Sequence, residues 1–98
     1  MTPDRGDVLV VADDDRAYLA MTRAKFNRAA GLVFAYQVDR ECIDDPLGVC
    51  LSGGLGQYWA RADAPRTIRT TDITGIRDRV RSSEVGKLQR LLHVLLMH

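Results

Sequence analysis

Arginine is the residue type in this sequence that is best suited to bind an anionic substrate. Six arginines form a basic stretch, namely Arg61, Arg66, Arg69, Arg77, Arg79 and Arg81, and Arg16 follows three consecutive aspartates. A guanidinium group donates hydrogen bonds in a fork that fits phosphate oxygens, so this distribution suggests contact with phosphate. The alternative is a solvated surface with scattered salt bridges. The formal net charge of the chain is only +1, which by itself favours no nucleic-acid partner.

Proton transfer and metal binding have fewer candidate residues. Histidine is the usual proton carrier near neutral pH, but His93 and His98 both lie in the tail. We expect His93 to be a packing or surface residue. The spacing of Cys42 and Cys50 fits no zinc pattern. We therefore expect no bound metal or cofactor, and two reduced thiols in the core or in a loop.

The elements that must position these side chains are mostly short strands. Apolar and β-branched runs bounded by turn residues predict strands over residues 7–12, 17–22, 31–38, 47–51, 58–62 and 67–72. The first two runs are close enough to form a hairpin with an acidic turn at residues 13–15. The run at 31–38 is nearly all apolar, so we expect both of its faces to be covered. Residues 23–30 fit a loop or a single helical turn, and Pro65 fits a strand start, an edge or a bulge.

The tail of the chain has a different pattern. Apolar residues recur there at spacings of three and four, namely Val85, Leu88, Leu91, Leu92 and Leu95, which predicts an amphipathic helix. Ser82 or Ser83 is a candidate N-cap, and Gly86 costs about 1 kcal/mol relative to Ala, so the helix should depend on packing. The 98 residues therefore predict one α+β domain, mostly β, with a small, strongly curved antiparallel sheet followed by a helix.

Composition gives no indication of a membrane protein. The hydrophobic fraction is 46% and the charged fraction is 28%, which are ordinary values for a globular protein. No apolar run approaches the roughly 18 residues of a membrane helix. The first seven residues lack the basic and long apolar parts of a secretory signal, so we expect a cytoplasmic protein.

Several short motifs resemble those of MazF-type toxins and occur in the same order over nearly the whole chain. The matching segments are residues 5–8 (R-G-D-V), 22–28 (T-R-A-K-F-N-R), 31–38, 68–72 (I-R-T-T-D), 76–80 and the Leu-rich tail. They resemble the family's R-G-D/E-[VI] opening, its S/T-[NR]-x-x-x-N-R segment, its third strand, its I-R-T-[IV]-D motif, the strand after that motif and its C-terminal helix. Arg16 stands where the family carries an Arg-Pro dipeptide, with Ala17 in place of the proline.

The resemblance implies both a fold and an activity. The implied fold is the plasmid-toxin barrel of MazF and CcdB, one domain over residues 1–98 with five to seven short strands, similar in shape to SH3-like barrels. The implied function is that of a toxin of a toxin–antitoxin pair, a metal-independent, sequence-specific endoribonuclease on single-stranded RNA. There the 2′-hydroxyl attacks its own phosphate and leaves a cyclic phosphate and a 5′-hydroxyl. This chemistry needs a donor on the non-bridging oxygens, a proton carrier and a surface that holds the backbone in line.

By position, the resemblance implies catalytic roles for Arg16 and Gln37. Arg16 falls on the catalytic arginine, which would stabilise charge on the phosphorane; otherwise it would form a salt bridge with the aspartates at the hairpin tip. Gln37 falls where the family has Thr or Ser, and its amide can donate to phosphate but cannot carry a proton. The alternatives for proton transfer are Tyr36, Thr22 and, with a register shift of two, Asp39.

The RNA contacts implied by position lie in two segments. They are Lys25, Asn27 and Arg28 after the second strand, and Thr67 and Arg69 on the I-R-T segment. Arg69 could equally pair with Asp72. Tyr58 and Trp59 could stack on bases, although a core or dimer-face aromatic pair is the expected alternative.

The family also implies partners and competing functions. The expected partners are single-stranded RNA, a cognate MazE-like antitoxin whose acidic tail would fit the basic stretch, and a second copy of this chain in a homodimer. CcdB-type relatives instead bind DNA gyrase and cleave nothing. A toxin that had lost its proton carrier would retain only antitoxin binding.

Overall fold

Six strands and two helices follow one another in the computed structural model, which describes residues 2–97. They are β1 (Asp7–Val11), β2 (Asp14–Ala20), α1 (Ala24–Ala30), β3 (Leu32–Asp39), β4 (Gly48–Gly53), β5 (Gly56–Arg69), β6 (Ile73–Arg79) and α2 (Ser82–Leu96), with a 3₁₀ turn (Thr70–Asp72) before β6. The expected mostly-β architecture with a C-terminal helix is confirmed. Neither of these helices is long and apolar enough to cross a membrane. His98 lies outside the described residues.

The strands form one antiparallel sheet in the order β4-β5-β3-β2-β1-β6. A bridge between Gly53 and Val80 links the ends of its two edge strands. The N–H of Gly54 also donates to the carbonyl of Arg79 at 3.2 Å. The sheet therefore curls until its edges meet at one end, as the expected strongly curved sheet requires.

One long strand, β5, replaces the two separate strands predicted over residues 58–62 and 67–72. Its register with β3 jumps, because Tyr36 pairs with Pro65 whereas Val38 pairs with Ala60. Residues 61–64 thus form a bulge, and Pro65 lies beside it as one of the expected positions for a proline. A bulge of this kind bends a strand and increases its twist, which lets a single strand serve both halves of the curled sheet.

Alternation along the strands builds two cores on opposite faces of the sheet. On β2, Ala17 and Leu19 face a cluster that α2 covers with Val85 and Leu88, and we call this the helix-side face. Tyr18 and Ala20 point the other way, into a cluster that also contains residues of β1, β3, β5 and β6; we call this the opposite face. Residues of both sheet halves contribute to each of the two clusters, so the curled sheet has an apolar core on both of its faces.

Residues 31–38 were expected to be covered on both faces, and this is wrong at Phe34. Val33 and Ala35 are buried on the opposite face, but Phe34 is 45% exposed on the helix-side face, beyond the area that α2 covers. Its ring contacts the ring of Phe26 on α1, with 5.5 Å between the centroids. A purely apolar run could not reveal where along the strand the covering helix stops.

Two expectations about the helices need correction. Residues 24–30 form a complete short helix, α1, that ends at Gly31 in a left-handed conformation with φ of 68°. At α2, the N-cap residue is Arg81, and no side chain caps the helix. The hydroxyl of Ser82 instead accepts a hydrogen bond from Arg5, at 2.9 Å, which connects α2 to the start of the chain.

The expectation of two reduced thiols is also wrong, since Cys42 and Cys50 form a disulfide. The loop after β3 returns the chain so that the two Cα atoms lie 5.6 Å apart, within the range that a disulfide spans. The spacing of two cysteines along a sequence does not reveal such a return, and so it could not predict the bond.

Candidate nucleic-acid interface

The two residues with expected catalytic roles lie on the same face of the sheet. Arg16 precedes Tyr18 by two positions on β2, so both side chains point to the opposite face. Gln37 on β3 is the direct register partner of Tyr18. Arg16 is exposed, and its guanidinium makes no hydrogen bond or ion pair with any residue from 2 to 97. Its expected salt bridge to the acidic turn is therefore not formed.

A different arginine, Arg66 on β5, binds Asp14, the first residue of β2. Its Nη1 donates to Oδ2 of Asp14 at 2.5 Å and to the hydroxyl of Tyr18 at 3.1 Å. Its guanidinium carbon lies 5.0 Å from the centroid of the Tyr18 ring, which is a cation–π distance. We call Asp14, Arg16, Tyr18, Gln37 and Arg66 the hairpin-tip cluster. It brings two guanidinium groups to one rim of the curled sheet.

Asp14 remains ionised in this arrangement because three donors converge on its carboxylate. The backbone N–H of Arg16 donates to Oδ1 at 2.9 Å, and the Tyr18 hydroxyl donates to Oδ2 at 2.7 Å. These two bonds, followed by the Arg66 guanidinium, lower the pKa of Asp14. In turn, the hydrogen bond to Tyr18, followed by the contact with Asp14, raises the pKa of Arg66. The cluster therefore stays charged throughout the neutral range.

A carboxylate also lies next to Gln37 on the opposite face. Nε2 of Gln37 donates to Oδ1 of Asp39 at 3.2 Å. Ala17 and Val38 are register partners, so Arg16 and Asp39 come next along their two antiparallel strands. In the observed register of β2 and β3, Asp39 therefore lies beside the hairpin-tip cluster. The shift of two residues that was considered in the sequence analysis is not needed.

The other hydroxyls considered for proton transfer are placed elsewhere. Tyr36 lies on the helix-side face, packed against the core that α2 covers. The Thr22 hydroxyl donates to Asn27 and accepts from the N–H of Phe34, so it has a structural role. Neither residue belongs to the hairpin-tip cluster.

The residues with expected RNA contacts do not lie on the same face as Arg16. Thr67 and Arg69 pair with Phe34 and Leu32 on the helix-side face. Thr67 contributes to an open cleft of about 400 Å³ that is lined by Phe34, Ala35, Tyr36, Pro65, Arg66 and Thr67. Lys25 and Arg28 are exposed on α1. Arg69 makes no ion pair with Asp72 or with any other residue in the described range.

The structure places the side chain of Asn27, an expected RNA contact, in the interior of the protein. Its side chain is fully buried. Nδ2 donates to the carbonyls of Pro3 and Thr22, both at 2.9 Å, and Oδ1 accepts from the Thr22 hydroxyl. An asparagine with these bonds is fixed in the interior, where it joins the start of the chain to α1.

Replacing Asn27 with alanine should therefore reduce the stability of the protein. We expect a loss of about 2 kcal/mol in the free energy of unfolding, because buried partners lose their hydrogen bonds. Chemical denaturation would measure it, and the neighbouring exposed residue gives a matched variant, Arg28→Ala, which should change stability by less than about 0.5 kcal/mol. Unchanged stability together with weakened RNA binding would instead restore a direct RNA contact for Asn27.

The aromatic and histidine candidates are not in the cluster either. Tyr58 is fully buried and Trp59 is 6% exposed, which agrees with the core interpretation of this pair. His93 is an exposed residue of α2, as expected of a packing or surface position. Within residues 2–97, no group of three or more His, Cys, Asp or Glu side chains is placed to hold a metal ion.

Sequence reasoning missed the roles of Asp14, Tyr18 and Arg66. The sequence did contain a signal for Asp14 and Tyr18. The pattern D-x-R-x-Y within one strand places both of them on the same face as Arg16. No local signal could identify Arg66 among the six arginines of the basic stretch. Its partner, Asp14, is 52 residues away in the chain.

The sequence matches no protein-family model and no curated protein. The structure is similar to several solved ones. A chain of the MazE–MazF complex from Deinococcus radiodurans gives a TM-score of 0.85 at 22% identity, covering 100% of this chain and 99% of that chain. MazF from the same organism gives 0.79 at 19% identity, over 100% and 99%.

A third similar structure comes from a mycobacterial species, an endoribonuclease in complex with its cognate antitoxin. It gives a TM-score of 0.79 at 20% identity, covering 96% of this chain and 94% of that chain. Each of these similarities spans almost the full length of both proteins. The motif order and the complete superposition agree, and the chain has the fold of the MazF toxins.

Proposed function

We propose that this protein is the toxin of a toxin–antitoxin pair and that it cleaves single-stranded RNA at short sequence motifs without a metal ion. The observation that carries the proposal is the position of Arg16. Its guanidinium is exposed, has no partner within residues 2–97, and shares one sheet face with Gln37. An arginine that is charged and unpaired at a rim is available to bind a phosphodiester.

The reaction needs charge stabilisation on the phosphorus centre, which we assign to Arg16 and Gln37. The fork of Arg16 can donate to both non-bridging oxygens as negative charge develops on them. The amide of Gln37 can supply a further donor, since it already donates to a carboxylate oxygen in the free protein. Both groups are held on neighbouring strands, so little reorganisation is needed when substrate binds.

Proton transfer is assigned to Asp39, the carboxylate bound by Gln37. It would accept the proton of the 2′-hydroxyl while the 2′-oxygen forms its bond to phosphorus. The bond from phosphorus to the 5′-oxygen then breaks, the leaving oxygen takes a proton from water, and Asp39 returns its proton to the hydroxide so formed. The products are a 2′,3′-cyclic phosphate and a 5′-hydroxyl, and no oxidant or cofactor is consumed.

An assay on long single-stranded RNA tests this proposal directly. The purified protein, free of antitoxin and in the presence of a chelator of divalent metals, should produce discrete fragments that end in cyclic phosphate. Intact RNA after incubation with folded protein would contradict the assignment. Growth arrest without RNA cleavage would then indicate a toxin with another target, and no growth arrest would indicate a chain that only binds its antitoxin.

We further propose that an antitoxin and a second copy of this chain are partners of the protein in the cytoplasm. The support is the fold shared with a mycobacterial endoribonuclease solved with its antitoxin, together with exposed apolar side chains on the helix-side face. Phe26 and Phe34 are 42% and 45% exposed. Size-exclusion chromatography with light scattering should give twice the monomer mass of 10.9 kDa.

A further inference from the structure

The Asp14 carboxylate occupies a site that is built like an anion-binding site. Three donors converge on it, from the backbone of Arg16, the hydroxyl of Tyr18 and the guanidinium of Arg66. The ring of Tyr18 supports the Arg66 guanidinium from one side. Donors of this kind would bind a phosphate oxygen equally well, because both groups are compact oxyanions.

The contact between Asp14 and Arg66 is accessible to a competing anion. The Arg66 side chain is 39% exposed and the Asp14 side chain is 18% exposed. Ion pairs at such positions contribute little to stability, so a ligand can replace one partner at small cost. Arg66 is therefore held in position by Tyr18, while another anion can replace its partner Asp14.

Because Arg66 lies close to Arg16, the replacement of Asp14 by another anion concerns a ligand that also contacts Arg16. One carboxylate contacts both residues, because its Oδ1 accepts from the Arg16 backbone and its Oδ2 accepts from Arg66. An extended polynucleotide presents phosphates in a row. A strand with one phosphate at Arg16 would bring the adjacent backbone to the Asp14–Arg66 pair.

We propose that Arg66 is a second phosphodiester-binding residue and that Asp14 occupies it as an internal competitor of the RNA backbone in the free protein. This inference rests on the proposed ribonuclease function, since it places a substrate phosphate next to Arg16. Tyr18 acts as a positioning residue that holds the Arg66 guanidinium when Asp14 releases it. The acidic turn then lowers affinity for polyanions until a correctly placed phosphate displaces its carboxylate.

The variant Asp14→Asn tests the proposal because it removes the charge and keeps an acceptor for the Arg16 N–H. The matched variant is Asp15→Asn, which makes the same charge change at an exposed neighbour whose side chain forms no hydrogen bond within residues 2–97. The probe is a single-stranded oligodeoxynucleotide, which lacks the 2′-hydroxyl and cannot be cleaved. Its dissociation constant is measured for each variant over a series of salt concentrations.

We expect D14N to bind this probe about fivefold more tightly than the wild-type protein at low salt, and D15N to change affinity by less than about twofold. The slope of log affinity against log salt should steepen by about 0.7 in D14N, as for one added phosphate contact on a single strand. Adding Arg66→Ala to D14N should remove both effects. Circular dichroism confirms that each variant is folded.

The proposal is overturned if D14N and D15N behave alike, if the gain survives Arg66→Ala, or if no variant binds the probe. RNA cleavage by the wild-type protein in any of these cases would leave the proposed function standing. The opposite combination of results also distinguishes the phosphate site at Arg66 from the nuclease function. A gain in D14N that depends on Arg66, without any RNA cleavage, would establish the phosphate site and remove the nuclease.

Discussion

Replacing Arg16 with alanine should reduce the rate of RNA cleavage by about 100-fold or more. The expected size follows from the loss of one donor to the developing charge on phosphorus, which typically costs two to three orders of magnitude. The side chain is exposed and forms no hydrogen bond or ion pair within residues 2–97, so the variant should remain folded. Single-turnover cleavage of a labelled oligoribonucleotide measures the rate separately from product release.

Two further variants make this experiment specific. Arg16→Lys keeps the charge but loses the fork, so it should cleave at an intermediate rate. Arg90→Ala removes an exposed arginine from α2, on the far side of the helix-side core, and should cleave at nearly the wild-type rate. Equal losses in R16A and R90A would mean that general positive charge, and not the position of Arg16, supports the reaction.

Replacing Asp78 with alanine should cause a large loss of stability. Asp78 is 9% exposed, and its Oδ2 accepts from the Tyr58 hydroxyl at 2.7 Å and from the Leu55 N–H at 2.9 Å. Burial, followed by the bond to Asp78, raises the pKa of Tyr58 to about 12. Without the carboxylate, a fully buried hydroxyl and a backbone N–H lose their acceptor. We expect the free energy of unfolding to fall by about 3 kcal/mol.

Thermal unfolding provides the measurement for Asp78. A loss of this size should lower Tm by about 12–24 °C in a domain of this length. Asp72→Ala is the matched variant, because Asp72 is exposed and its side chain makes no hydrogen bond in the described part of the chain; it should change stability by less than about 0.5 kcal/mol. A similar Tm for both variants would show that the buried network does not hold the closed end of the sheet.

The pH dependence of the free energy of unfolding gives an independent check of the hydrogen bonds made by Asp78. Burial disfavours the charged form of Asp78, but the hydrogen bonds from Tyr58 and from the backbone outweigh it and lower the pKa below the ordinary 3.8. A carboxylate with a lowered folded-state pKa stabilises the protein above its unfolded pKa, and this stabilisation is lost as pH falls through the folded value. The stability difference between wild type and D78A should therefore narrow below about pH 4. A constant difference down to pH 3 would contradict this.

The hydrogen bonds of Asp78 also stabilise the end of the sheet where its two edges meet. It ties the turn between β4 and β5 to β6, where the bridge between Gly53 and Val80 closes the sheet. That closure sets the curvature of the sheet that carries β2 and β3. The relative position of Arg16 and Gln37 itself follows from the direct pairing of β2 with β3 within that sheet.

Local sequence patterns were sufficient for most elements because their causes are local. The β-branched run after Gly6 became β1, and the spacing of Val85, Leu88 and Leu92 gave a helix with one apolar face. A turn was predicted at residues 13–15, and it lies at residues 12–13, because Asp14 and Asp15 already belong to β2. Asp13 in this turn takes a positive φ of 59°, which Asp tolerates better than β-branched residues do. Each of these outcomes depends on residues within a few positions of each other.

The order of motifs along the chain predicted the fold as well, because each motif indicates one strand, turn or helix and the order indicates how they are connected. The order of motifs did not predict which side chains are buried or what they contact. Asn27 belongs to a matching segment, yet it is buried and bonded to Pro3, 24 positions earlier in the chain. A motif gives the identity of a residue, whereas burial depends on what distant segments pack over it.

By itself, the sequence determined a small antiparallel sheet with a C-terminal helix, and it placed an arginine near the start of the second strand, although Arg16 lies within β2 and not before it. Tertiary structure alone decided that Cys42 and Cys50 pair, that β5 is one bent strand, and that Arg66 rather than Arg16 holds Asp14. The physical reason is the same for all three. All three depend on how loops return, how strands pair and how the sheet bends, and local sequence patterns do not contain that information.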